Sequence, residues 1–166
     1  MVGRWSYGPI RSLTAGLIDG NKYAFMGSGG VLLVVDINSP SAPKTVGELV
    51  TVGVVRELVL DKDRLYVAAR PVGLRVVDVS NPHSLKEVGF VDTPGDARSV
   101  SVQGNYAYVA DGPAGLRVID VSAPAAPRVV GLVTTPSDAQ GVFARGDHVF
   151  VADSEAGISV VRVPGR

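Results

Sequence analysis

Cysteine is missing altogether, which rules out a disulfide framework, a thiolate zinc site and a cysteine nucleophile, and leaves the redox compartment open. A surplus of one charge is missing too: sixteen Lys and Arg balance sixteen Asp and Glu. Without a basic block the chain lacks the electrostatic footprint of a nucleic-acid binder, so no nucleic acid is expected among its partners. No run approaches the roughly 18 apolar residues that a membrane helix needs, so no membrane span is expected. The opening MVGRWSYGPIRS has no continuous apolar core of signal-peptide length; the sequence carries no address of its own and a soluble chain is expected. Walker-type and dinucleotide glycine motifs are absent, as is the Gly-x-Ser-x-Gly elbow of an activated serine. No cofactor is expected.

What is present is a repeat. YAYVADGPAGLRVIDV, Tyr106 to Val121, consists of two short apolar runs around a Gly/Pro turn, and it recurs at a spacing of 42 residues. Val46, Val88 and Val130 keep that spacing, as do Gly47, Gly89 and Gly131, Pro40, Pro82 and Pro124, Asp36, Asp78 and Asp120, and Gly73, Gly115 and Gly157. A full copy holds four short runs that alternate in the manner of strands, separated by turn residues such as Asp19-Gly20-Asn21 and Gln103-Gly104-Asn105. Both faces of a run are apolar: Tyr106 and Tyr108 point one way, Ala107 and Val109 the other. A sheet buried on both sides must stack between neighbours. The fold class expected is therefore all-β, a beta-propeller of four-stranded antiparallel blades.

At 166 residues and 46% hydrophobic content the chain is sized for a single domain over 1–166. The blades are expected over about 11–50, 51–92, 93–134 and 135–163. The fourth copy stops after its third run, and Arg4 and Trp5 lie 42 residues before Val46 and Gly47. Residues 2–8 are thus read as a closing strand for the last blade. In that copy Arg162 replaces the aspartate, where no further turn has to start. Three arrangements stay open: a four-bladed ring, half of an eight-bladed homodimer, or a piece of a longer propeller.

GLRVVDVSNP and GLRVIDVSAP, each preceded by YVA and followed by VG, resemble the LVIVD-repeat proteins, a prokaryotic group related to beta-propellers. RWSYGP followed by YAFMGSGGVLLVVDI is similar to their first blade. The resemblance implies a secreted or cell-surface setting and brings no catalytic signature to carry over. Val31 where later copies have Gly, Leu85 in place of the second loop proline, and Arg162 depart from the pattern.

Repeat symmetry places Thr14, Arg56, Arg98 and Gln140 at equivalent positions near one mouth of the central channel, with Asp96 and Asp138 two residues before Arg98 and Gln140. This ring is the candidate ligand site, fitted by its guanidinium forks to a carboxylate or another small polar group. The structural alternative is that Arg98 pairs with a neighbouring aspartate and knits two blades. Asp36, Asp78 and Asp120, each followed by Ser or Asn two residues on, read as turn initiators. Asp111-Gly112 and Asp153-Ser154 lack the ligand density of a calcium loop. Arg145-Gly146-Asp147 spells an adhesion tripeptide but sits where the other copies have hairpin turns. His83 and His148 are isolated and suit neither a metal nor a base. The expected function is a non-enzymatic interaction scaffold for a protein, peptide, carbohydrate or small polar ligand. The alternatives are a hydrolase or lyase using Asp96, Asp138 and Arg98, and a structural assembly subunit.

Overall fold

The computed structural model describes residues 8–163. Among the described residues fifteen strands form four antiparallel sheets, each in simple up-and-down order. The first sheet holds β1 (Ser12–Ile18), β2 (Asn21–Ser28), β3 (Val31–Asp36) and β4 (Lys44–Val50). The second holds β5 (Val54–Asp61), β6 (Arg64–Arg70), β7 (Gly73–Asp78) and β8 (Lys86–Val91), and the third β9 (Ser99–Gln103), β10 (Tyr106–Ala110), β11 (Leu116–Asp120) and β12 (Arg128–Val133). The last is three-stranded, with β13 (Gly141–Arg145), β14 (His148–Ala152) and β15 (Ile158–Arg162). Each sheet is one blade of a propeller-like arrangement. The closing strand expected over 2–8 lies outside the described residues, save for Gly8.

The blades stack face to face. Phe25, Leu32 and Val34 of the first meet Val55, Leu65, Val67 and Val77 of the second. Tyr66, Leu74 and Val76 meet Val100, Val109 and Ile119 of the third. Tyr108 and Leu116 meet Val149 and Val151 of the fourth. The first blade carries a further cluster, Ala24, Met26, Leu33 and Val35, on its other face. The inner strands follow one another, β1 on β5, β5 on β9 and β9 on β13, but no packing of comparable extent joins β13 to β1.

Inner strands do not form ladders with each other, so the blades are pinned near the axis by side chains. Ser12 Oγ accepts Leu58 N, Glu57 Oε2 accepts Val100 N, and Ser99 Oγ accepts Val142 N, at 2.8–3.0 Å. Ser101 Oγ adds a second pin, to Ala144 N at 3.1 Å. At the outside, Gly47 and Gly89 lie directly under the carbonyls of Pro82 and Pro124 in the next blade's loop, where a Cβ would collide. That contact accounts for the glycine at 47 and at 89.

One departure from the repeat lies in the strand register. Ala68 pairs with Leu74, Ala110 with Leu116 and Ala152 with Ile158, so Met26 should pair with Leu32. Gly27 does instead. A slip of one residue turns every side chain of a strand to the opposite face. The cause is the placement of the aromatic: Tyr66, Tyr108 and Phe150 align with Ala24, whereas the first repeat carries Phe25 one residue later. Slipping β2 by one keeps an aromatic ring in the joint with the next blade, where Phe25 is buried.

Candidate functional site

The three repeated aspartates are turn initiators, as their spacing indicates. Asp36, Asp78 and Asp120 accept the backbone N–H of Asn38, Ser80 and Ser122 at 2.8–2.9 Å. These hydrogen bonds hold all three carboxyls below their ordinary value near 3.8: the Asn38 backbone chiefly for Asp36, and the Ser80 and Ser122 side chains first for Asp78 and Asp120. A carboxyl whose folded value is depressed contributes stability above its unfolded value and loses it as pH falls through the folded one. The melting temperature is therefore expected to fall steeply below pH 3.8, and more shallowly in an Asp78→Asn/Asp120→Asn variant. Equal slopes in pH-dependent thermal melts would contradict the assignment.

Asp111 and Asp153 are fully buried and engaged. Asp111 accepts Thr93 Oγ1 at 2.6 Å, Gly95 N at 3.1 Å and Arg117 Nε at 3.4 Å. Asp153 accepts Ser137 N and Ser159 Oγ. Each clamps the loop arriving from the preceding blade onto the turn before β11 or β15. These carboxylates are structural, and the 42-residue offset between them was the available signal.

On the loops that join successive blades, a chain of polar contacts crosses from one blade to the next. Arg70 Nε meets Asp96 Oδ1 at 2.6 Å, Arg98 reaches Asp96 at 3.6 Å and Asp138 Oδ2 at 2.6 Å, and Gln140 Nε2 donates to Asp138 at 3.0 Å and to Ser154 Oγ at 3.1 Å. The loops carrying it are joined by a bridge between Gly112 and Ala139. Asp96, Arg98, Asp138 and Gln140 are thus brought together, with Arg70 as a member that repeat symmetry did not single out. Arg98 is occupied by aspartates on both sides. Arg56, half-buried at an irregularity in β5 between Val55 and Glu57, makes no side-chain hydrogen bond or ion pair among the described residues. Arg70, Asp96, Pro94 and Pro113 border a shallow depression of about 440 Å³ beside this chain.

Thr14 does not take the fourth place. Arg98 N donates to Ala110 O and Gln140 N to Ala152 O; in the first blade the matching bond runs from Arg11 N to Gly27 O. The β1–β2 pairing is displaced too, by two residues relative to β9–β10, so Arg11, three residues before Thr14, matches Arg98 and Gln140, and Thr14 pairs with Phe25 inside the strand. Sequence alignment without gaps had no means of finding Arg11.

The remaining motifs are structurally explained in part. Asp147 of the Arg-Gly-Asp turn is held by His148 Nδ1 at 2.7 Å and Arg162 Nε at 3.1 Å. Arg162 stands where Asp78 does, and it pairs with Asp147, the counterpart of Asp63, in place of the Arg64–Asp78 pair of the second blade. Among the described residues no three His, Asp or Glu side chains converge as a metal site, and no helix is long and apolar enough to cross a membrane.

Comparisons with known proteins agree with the architecture. A family model described as the LVIVD repeat matches residues 18–51, 53–93, 94–135 and 136–163. Comparison with curated proteins returns no match. Among solved structures, the chain is similar to the crystal structure of the computationally designed Ika4 protein. The TM-score is 0.77 at 12% identity, over 97% of this chain and 95% of that one; at that identity the likeness speaks for the fold alone.

Proposed function

We propose, starting from the premise that the chain belongs to the LVIVD repeat family, that it is a non-enzymatic interaction scaffold whose mouth captures a carboxylate-bearing peptide or small polar ligand. The observation that carries this reading is the contrast between two guanidinium groups at equivalent positions. Arg98 is fixed by Asp96 and Asp138, whereas the Arg56 fork has no acidic partner among the described residues. A fork free of internal partners is suited to bidentate recognition of an incoming carboxylate. Neighbouring Asp96, Asp138 and Gln140 supply acceptors and a donor that set orientation. An extracytoplasmic setting, implied by the family resemblance, is part of the same proposal.

Binding of short acidic peptides from an immobilised library tests it. Arg56→Ala should weaken capture about tenfold, the worth of one charge-assisted hydrogen bond, with the melting temperature unchanged. Arg98→Ala should instead lower the melting temperature, because it leaves Asp138 without its closest cation. Undiminished capture by the Arg56→Ala chain would overturn the reading.

A further inference from the structure

At the hairpin ends of the inner strands, successive joints between blades are closed differently. Between the third and fourth, Ser101 Oγ accepts Ala144 N at 3.1 Å and the Gln103 amide donates to Gly146 O at 2.8 Å. One repeat earlier the same two positions are Val59 and Asp61, and the carbonyl to be met is that of Gly104. A carboxylate has no hydrogen to donate, so the second-to-third joint stays open there. It holds a pocket of about 220 Å³ bordered by Asp61, Tyr66, Gly104 and Asn105, with Val121 and Pro124 adding apolar surface.

The acceptors at this pocket are unclaimed. Asp61, half-buried, makes no ion pair or side-chain hydrogen bond among the described residues, and the exposed Lys62 beside it makes none either. Arg64 is held instead by Asp63 at 3.0 Å and Asp78 at 3.2 Å. Gly104 O accepts no backbone hydrogen bond among the described residues. Tyr66 is only 4% exposed, yet its hydroxyl makes no hydrogen bond among them, although a buried hydroxyl normally finds a partner. Burial pushes that hydroxyl above its ordinary value near 10, and the Asp61 carboxylate adds to the push. It is therefore a neutral phenol with an oxygen to offer.

We propose that this pocket binds a primary alkylammonium group, whose N–H donors satisfy the Asp61 carboxylate, Gly104 O and the Tyr66 hydroxyl oxygen. An ammonium carries three donors and no acceptor, the complement of this set, and its charge matches the carboxylate. The Gln103 amide on Gly146 O shows a nitrogen donor seated at the equivalent carbonyl. Val121 and Pro124 give the alkyl stem an apolar surface. A free amine and a lysine side chain of a partner protein share this chemistry. The pocket lies at the Arg64 end of β6, whereas Arg70 at the other end meets Asp96. The inference thus goes beyond the carboxylate reading and stands without it.

Titration of the isotope-labelled full chain with n-butylammonium chloride, followed by its amide resonances, tests it directly. Saturating shifts are expected at Asp61, Gly104 and Asn105, and none from tetramethylammonium chloride, which has the charge but no N–H. Equal shifts from the tetramethyl salt or from potassium chloride would overturn the proposal, as would silence with n-butylammonium. Asp61→Gln copies the Gln103 contact and should abolish binding with the melting temperature held or raised. Tyr66→Phe should weaken binding about tenfold, the worth of one hydrogen bond to a charged group. Undiminished affinity in the Asp61→Gln chain would be equally decisive against it. Tighter binding of Nα-acetyl-lysine methylamide than of n-butylammonium would assign the pocket to a lysine side chain, and the reverse order to a free amine.

Discussion

Replacing Asp111 with alanine is expected to lower stability by about 3 kcal/mol, the low end for breaking a buried ion pair, read as a shift in the urea midpoint at constant slope. The carboxylate has no solvent exposure, and it satisfies a threonine hydroxyl, a backbone N–H and a guanidinium at once. Its removal leaves the Arg117 side chain, 12% exposed, without its anion. Uncompensated charge is the larger part of the loss, so Asp111→Ala/Arg117→Leu should recover much of it. The first blade already uses that solution, with Gly27 and Leu33 at the equivalent sequence positions. Asp153→Ala should cost less, about 1–2 kcal/mol, because its partners are neutral donors. Equal losses for Asp111 and Asp153 would show that the guanidinium is not what the buried carboxylate serves.

Gly89→Ala is expected to destabilise by about 2–3 kcal/mol, the upper range for an overpacked site. The added methyl would collide with the Pro124 carbonyl and also approach Pro127 Cδ and Ala125 C at 3.0 and 3.1 Å. These are backbone and ring atoms of a closed loop, with no flexible side chain to swing aside, so the third blade must move outward. Gly131 has the same repeat position but nothing beyond its own sheet, Val118 Cβ at 3.3 Å. Gly131→Ala should therefore stay within about 0.5 kcal/mol of the parent, as surface substitutions do. Matching melting temperatures for the two variants would refute the blade-to-loop contact.

Much of this is legible in the sequence. The strand count, the turns and the role of Asp36, Asp78 and Asp120 rest on local chemistry that repeats at fixed spacing, and repetition is what a single sequence displays best. Asp96, Arg98, Asp138 and Gln140 could be grouped because they lie one repeat apart on loops of adjacent blades. Arg11 escaped because its position depends on strand register, which spacing does not encode; Arg70 is assignable to the same loop face, but its pairing with Asp96 depends on the path of the loop. The displaced aromatic, Phe25 in place of Ala24, was the visible trace of the slip; its meaning required knowing which face the ring had to fill.

That slip bears on how the chain folds in order. Blades two to four are close enough in sequence that their strands are plausible partners for one another, and repeat proteins misassemble by such exchanges. A β2 hairpin offset by one residue presents the wrong face to any sheet but its own. The first blade is thereby excluded from substitution by its neighbours, and the array acquires a fixed origin from which the remaining blades are counted.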